Sequence, residues 1–191
     1  MKKLLCIIIL TALFCVPGHS QRVIRGQHII TVSGFGWKRL GGELGWGQCY
    51  DQGKLVFKAG CLIDRDQNYH LKADERMPEA DLKFRSYDVT GSFGYMWRLV
   101  GNRHRSFNVW SGMCADLGAR LYSWDDDKTG FDAPSSKFIF GASARVELEC
   151  FISSSASVFL NCAPHLQFYG HKKNDTIFYP DFGIGLNFYM F

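Results

Sequence analysis

The sequence predicts an all-β fold, an eight-stranded antiparallel up-and-down β-barrel that spans a membrane. Two observations predict it: apolar residues recur at every second position in long segments, and the connections between those segments vary in length in a regular way. In addition, no apolar run after Val16 approaches the roughly 18 residues of a membrane helix. The chain can therefore cross a membrane only as a closed barrel.

The period of two is clearest in two segments near the C-terminus. Within residues 138–150 every even-numbered residue is apolar, whereas the odd-numbered ones are mainly small or charged. A similar alternation runs through residues 181–190. Because successive side chains of a strand point to opposite faces, each segment predicts a strand with one apolar and one polar face.

The first 20 residues predict a secretory signal peptide. Lys2 and Lys3 precede a mostly apolar run at residues 4–16, and cleavage is expected after Ser20. The barrel domain is then residues 21–191. Loss of the two lysines lowers the formal net charge from +4 to +2, which argues against nucleic acid as a direct partner.

The rest of the chain divides at turn residues into eight period-two segments. Glycines interrupt the alternation in the first two, and the later six alternate more regularly. In order, the predicted strands are 27–37, 42–49, 54–64, 82–97, 105–123, 137–151, 155–169 and 176–191.

Two prolines fall inside the last two predicted strands. Proline has no amide hydrogen to give to a neighbouring strand, so we expect regular pairing of the eighth strand to begin only after Pro180. Pro164 predicts a similar interruption in the seventh strand.

The connections indicate the orientation of the barrel. Those at 51–53 and 152–154 are short, whereas those at 65–81 and 124–136 are long and polar; the short connection after the first strand departs from the trend. Outer-membrane barrels place short turns in the periplasm and longer loops outside. We therefore expect a cell outer-membrane protein with both termini in the periplasm, in contact with outer-membrane lipid.

The composition of the two faces favours an apolar exterior. The polar face is rich in Gly and Ser, which suit a narrow lumen, and the apolar face has more bulk than eight strands can enclose. An Arg or Lys facing lipid at the midplane would also cost about 2–4 kcal/mol. The alternative is a soluble secreted barrel with its apolar side chains at the centre.

The charged residues of the polar face predict a structural ion-pair network that plugs the lumen. Three are basic and four acidic, so the set is close to balance. They are Lys58, Asp88, Asp116, Arg120, Arg145, Glu147 and Glu149.

The aromatic residues suggest two features of membrane insertion. The terminal Phe191, together with Tyr189, is similar to the signal that the barrel-insertion machinery of Gram-negative bacteria reads, although Phe191 falls on the polar parity. Four tryptophans near predicted strand ends suggest aromatic girdles at the two membrane interfaces: Trp37 and Trp124 at one, Trp97 and Trp110 at the other.

The sequence predicts no catalytic, cofactor-binding or metal site, because it lacks the motifs for phosphate binding, nucleophilic catalysis and zinc ligation. The five cysteines left after the leader are an odd number without a C-x-x-C pair. His165, with Ser157 and Glu147, is the one conceivable catalytic group. The acidic residues 125–127 and the charged residues 72–79 indicate solvated loops.

Several segments resemble the TraO family of conjugative-transposon proteins from Bacteroides-type bacteria. The resemblance is carried by residues 21–22, 89–95, 102–107, 138–151 and 182–186. It implies a small outer-membrane component of an apparatus that transfers DNA between cells, in contact with other proteins of that apparatus. It supplies no site residues.

The leading hypothesis is a non-enzymatic outer-membrane barrel with a structural or interaction role in conjugative transfer and no pore of its own. The alternatives are a general structural or adhesive outer-membrane barrel and, less favoured, an outer-membrane lipid-modifying enzyme.

Overall fold

The computed structural model is a closed barrel of eight antiparallel strands, as the sequence predicts. It describes residues 25–36, 39–71, 80–101, 107–124, 136–170 and 175–190, and among these no helix could cross a membrane. Each strand pairs with the next in sequence, and the last pairs with the first. The strands are β1 His28–Gly36, β2 Leu40–Cys49, β3 Gly53–Leu71, β4 Ala80–Val100, β5 Phe107–Trp124, β6 Ser136–Phe151, β7 Ala156–Gly170 and β8 Asp175–Met190.

The pairing register shows that the strands are staggered around the barrel. A path that starts at Ile30 in β1 and passes from partner to partner through β2 to β7 reaches β8 at Phe178. The direct partner of Ile30 in β8 is Phe188, ten residues further along the strand. Such a stagger accompanies strand tilt. Side chains that meet across the lumen therefore come from different positions along their strands.

The strands β3 and β4 extend further than predicted, into the segment 65–81 that was expected to be a loop. They remain paired as far as Leu71 and Ala80, with a register shift between Asp64 and Gln67. Beyond Ile63, β3 has no pairing to β2 in the described residues. Residues 65–70 are mostly polar, so the sequence shows no period of two there from which the extension could be predicted.

The expectation for Pro180 is wrong on the β7 side, whereas pairing with β1 does begin only after Pro180, at Gly183, and the register gives the reason. Pairing between β7 and β8 is continuous from Tyr169–Asp175 onward and places Pro180 opposite Pro164. The backbone amide of Tyr189 donates to the carbonyl oxygen of Ser155, on the β7 side of the strand. Successive backbone nitrogens of a strand point to alternate sides, and Pro180 is an odd number of residues from Tyr189. The nitrogen of Pro180 therefore points to the β1 side. The described part of β1 ends at Gly36 and offers no partner at that level. Among the described residues Pro180 thus has no β1 partner for its nitrogen, and proline is tolerated at such a position.

The expectation for Pro164 holds on one side of its strand. The pairing of β6 with β7 passes from Ser143–His165 directly to Val146–Cys162, without a shift of register. Pro164 therefore interrupts one ladder and leaves the other intact.

The two faces of the sheet have the predicted polarity, so the soluble barrel with apolar side chains at its centre is excluded. Met113 is 64% exposed on the outer surface, whereas Arg145 is 0% exposed in the lumen. The alternation that separates them is continuous through β6, where burial changes at almost every residue. The outer surface is a belt of exposed apolar side chains, which suits hydrocarbon rather than water.

Both ends of the described chain lie at one end of the barrel, which we call the terminal end, because His28 pairs with Met190. The short connections 50–52 and 152–155 lie there too. Inside this end, the buried side chains of Ile29, Cys49, Phe151 and Tyr189 form an apolar cluster. The opposite end, which we call the loop end, carries the connections 72–79 and 125–135. These two segments include the predicted charged loops and lie outside the described residues.

The inward glycines allow the close approach of neighbouring strands, and Gly118 gives a testable case. A Cβ atom at Gly118 would lie 2.2 Å from the carbonyl oxygen of Val89 and 2.9 Å from the Cα of Thr90. Because backbone atoms cannot move aside cheaply, we expect Gly118→Ala to lower the free energy of unfolding by about 1–3 kcal/mol. Urea titration of the protein folded in lipid vesicles measures this change.

Gly91, in the neighbouring strand β4, is the matched control. A Cβ atom there would lie 3.8 Å from the nearest atom, the carbonyl oxygen of Leu117. We expect Gly91→Ala to be neutral or slightly stabilising, since alanine restricts the unfolded chain more than glycine does. Equal effects of the two substitutions would contradict the close approach at Gly118.

Candidate functional site: the charged interior

All seven charged residues that the sequence assigns to the lumen are buried there. The alternation of each strand directs them inward, and none is more than 6% exposed. They come from four different strands: Lys58 from β3, Asp88 from β4, Asp116 and Arg120 from β5, and Arg145, Glu147 and Glu149 from β6. Six of them fall into three groups rather than one uniform network, and Glu149 lies apart from these.

The first group joins β2, β3 and β6 around Glu147. Lys54 Nζ lies 2.5 Å from Glu147 Oε2, and Lys58 Nζ lies 3.0 Å from Oε1. Arg145 makes a bidentate pair with Glu43, at 2.8 Å and 3.0 Å. Lys58 Nζ also lies 3.7 Å from Glu43. Each buried charge in this group therefore has an opposite charge within reach.

The second group surrounds Asp116. Its Oδ1 accepts hydrogen bonds from Ser92 at 2.6 Å and Ser143 at 3.1 Å, and its Oδ2 lies 2.9 Å from His165 Nδ1. The other ring nitrogen of His165 lies 3.6 Å from Asp181 Oδ2.

The third group lies toward the loop end and is centred on Asp88. Arg120 binds both carboxylate oxygens of Asp88, at 2.6 Å and 2.7 Å, and also donates to the Tyr169 hydroxyl at 2.8 Å. Arg39, in the connection between β1 and β2, adds a second bond to Asp88 at 3.0 Å.

Arg39 also bridges a gap in the barrel wall. Next to the described parts of β1 and β2, β3 on one side and β8 on the other extend further toward the loop end. From this gap the Arg39 guanidinium reaches Asp64 at 3.3 Å and lies 4.5 Å from the ring centroid of Tyr179, a β8 residue. The ring of Tyr179 in turn stacks on His165. Arg39 thus links the second and third groups and connects β3 with β8 across the gap.

Glu149 differs from the other carboxylates, because among the described residues no cation lies within ion-pair distance of it. It accepts hydrogen bonds from four neutral donors instead. Trp110 Nε1 donates to Oε2 at 2.7 Å, and Oε1 accepts from Ser157 at 2.5 Å, from Asn187 at 2.7 Å and from the Tyr189 hydroxyl. A cage of aligned donors can hold a buried carboxylate without a counter-ion.

The comparisons with known proteins identify the family. The family model described as conjugative transposon protein TraO matches residues 64–190. The chain belongs to the TraO family. None of the curated proteins matches it.

One solved structure of an outer-membrane protein shares its fold, and two others are only similar chains. A major outer membrane protein of Thermus thermophilus is 8% identical over 86% of this chain and 98% of that one, with a TM-score of 0.55. Neisserial surface protein A is 12% identical over 85% and 94%, at 0.48. Ail, the attachment invasion locus protein of Yersinia pestis, is 12% identical over 87% and 100%, at 0.47. At such identities the likeness concerns the fold alone.

The TraO match covers only part of the charged interior. It begins at Asp64, near the middle of β3, and includes six of the seven predicted lumen residues but not Lys58. Arg39, Glu43 and Lys54 also precede the matched range. In this member of the family the ion-pair partners of Arg145 and Glu147 are therefore supplied by β2 and by the part of β3 that precedes the match.

Sequence reasoning missed several residues of the interior. Lys54 has the same parity as Lys58 and could have been found from it, but Glu43 lies in a strand whose alternation is interrupted by glycines. Arg39 lies in a connection, where the period of two says nothing about direction. Asp181 had the correct parity, but its position beside His165 depends on the stagger of β7 and β8.

Two expectations based on aromatic residues need correction or restriction. Trp97 is exposed on the outer surface, as expected of a girdle, but the prediction for Trp110 is wrong, because its side chain is fully buried in the lumen. Tyr189 also points inward, to Glu149. Trp37 and Phe191 lie outside the described residues, and Trp124 is described only in its backbone.

The conceivable catalytic set of His165, Ser157 and Glu147 is not assembled. His165 contacts Asp116 and Asp181, Ser157 donates to Glu149, and Glu147 binds two lysines. In the part of the chain that the structure describes, no cluster of three His, Cys, Asp or Glu side chains could hold a metal ion.

Proposed function

We propose that this TraO protein is a non-enzymatic outer-membrane barrel that serves a conjugative transfer apparatus through contacts with its other components. The observation that carries the proposal is a family match over residues 64–190 on a barrel with an apolar exterior and a charged, tightly paired interior. An interior whose charged side chains are held by ion pairs and hydrogen bonds is suited to stability rather than to chemistry or transport.

The distribution of connections supports an orientation with the terminal end in the periplasm. The short turns 50–52 and 152–155 lie beside both termini, and the connections 72–79 and 125–135 lie at the other end. Outer-membrane barrels have short periplasmic turns and longer outer loops. The loops and the periplasmic rim are then the surfaces available to other transfer proteins, while outer-membrane lipid and the barrel-insertion machinery contact the rest.

The packing of the lumen supports the absence of a pore. Eight strands enclose little more than their own inward side chains. The middle of the lumen is crossed by the ion pairs of Arg145 with Glu43 and of Lys58 with Glu147. The apolar cluster that includes Phe151 and Tyr189 occupies the terminal end.

We therefore expect the purified protein to carry no steady ionic current in planar lipid bilayers. The physical reason is that opening a water path would break buried ion pairs and expose apolar side chains at the terminal end. A porin reconstituted in parallel is the positive control for the recording. Discrete, reproducible channel openings of the wild-type protein would contradict the proposed plug.

The role in transfer is tested by deleting the gene from a mobile element and measuring the transfer frequency to recipient cells. We expect a large decrease that is restored by the wild-type gene in trans. The adhesion of the same donor strains to recipient cells is measured in a separate assay that does not depend on transfer. An unchanged transfer frequency would remove the proposed role, and a loss of adhesion alone would favour the adhesive alternative.

A further inference from the structure

The outer surface of the barrel carries a shallow, open groove in the apolar belt across β2 to β5. Its volume is about 630 Å³. Its floor is formed by small outward residues on three adjacent strands, Ala59, Gly91 and Ala115. Ala59 and Gly91 are direct cross-strand partners, and Ala115 is the partner of Phe93, two residues from Gly91.

The walls of the groove are large apolar side chains. On one side, the rings of Trp46, Phe57 and Phe93 form a row, with centroids 5.6 Å and 4.6 Å apart. Leu44 and Leu117 stand at the two ends. The register produces this shape, because it places small residues next to one another in neighbouring strands while large residues flank them.

The lining offers no charged side chain to a ligand, and its one polar side-chain group is the indole N–H of Trp46. Lys58 and Ser92 border the groove, but both side chains are directed into the lumen, where Lys58 binds Glu147 and Ser92 binds Asp116. A ligand that fits this surface must therefore bind mainly through apolar contacts.

We propose that this groove is a binding site for one hydrocarbon chain of a membrane lipid. The inference rests on the proposed membrane location of the barrel. The groove opens within the exposed belt, so acyl chains are the molecules that surround it. A flexible chain can follow an irregular groove between aromatic rings and small residues, whereas a second rigid barrel would have to present a matching ridge.

The test uses the full protein in lipid nanodiscs of a single phospholipid. Nuclear Overhauser contacts are measured from the backbone amides of the deuterated protein to the acyl methylenes of protonated lipid. The amides of residues 59, 91 and 115 are compared with that of Ala144, an exposed small residue of the same belt on β6. We expect stronger contacts at the groove and, in native mass spectrometry, one retained phospholipid.

Two variants fill the groove from different strands, Ala59→Leu and Ala115→Leu, and Ala144→Leu is the matched control. We expect both groove variants to lose the retained lipid and the control to keep it. The contacts measured on the wild-type protein decide the question even if one variant does not fold. A stable dimer in place of the lipid-bound monomer would overturn the acyl-chain assignment in favour of a second copy.

The possible failures are distinguishable. Equal lipid contacts at residues 59, 91 and 144, with retention unaffected by the leucine variants, would refute the groove while leaving the membrane location intact. Absence of lipid contacts from the whole belt would refute the membrane location itself.

Discussion

Replacing Arg145 by methionine is expected to destabilise the barrel by about 3–5 kcal/mol, because Glu43 would remain buried without its bidentate partner. Lys58 does not take over this role, since its ammonium group lies 3.7 Å from Glu43 and is closer to Glu147, at 3.0 Å. The free energy of unfolding is measured by urea titration in lipid vesicles.

The double variant Arg145→Met with Glu43→Gln should be more stable than Arg145→Met alone, because both buried charges are then removed. We expect a coupling energy of at least about 1 kcal/mol in the double-mutant cycle. The control is a cycle between Arg145 and Asp88, which belongs to the group around Arg120. Additive effects for Arg145 and Glu43 would show that their contact contributes nothing to stability.

Glu149→Gln is expected to lower the free energy of unfolding by about 3 kcal/mol, although the change is nearly isosteric. The amide nitrogen of glutamine must face either the indole N–H of Trp110 or the group of donors at Oε1. Asn187 cannot easily rotate to accept, since its Oδ1 already accepts from Thr31 at 2.8 Å. A buried donor that loses its acceptor costs about 1–3 kcal/mol, and more than that when the acceptor was charged.

Ser157→Ala is the matched comparison for Glu149→Gln. It removes one of the four donors and leaves the carboxylate with three, so we expect a loss of about 1 kcal/mol. Both variants are measured in the same vesicle titration. If Glu149→Gln were no more harmful than Ser157→Ala, the four-donor description of this site would be wrong.

Much of the fold could be predicted because a barrel repeats a simple physical rule. Alternation assigns each side chain to one of two faces, and the medium outside decides which face is apolar. All eight strands follow from that rule. It does not predict the pairing of β3 with β4 beyond Ile63, where the sequence no longer alternates, or the continuous pairing of β7 with β8 across Pro180.

The predicted interior shows the same division. Parity was sufficient to place Arg145 and Glu147 in the lumen, because it depends only on the neighbours of each residue in the strand. Parity could not pair Arg145 with Glu43, 102 residues earlier in the chain. That contact requires the strand order and the stagger of the closed sheet.

The amino-acid sequence by itself therefore determined the number of strands, the direction of their side chains and the polar character of the lumen, since these depend on local alternation and on the cost of charge in hydrocarbon. Only the tertiary structure decided which charges meet, that Glu149 is held by neutral donors, and that small residues of neighbouring strands line up as a groove. These features depend on distances across a closed, tilted sheet, to which residues far apart in sequence contribute.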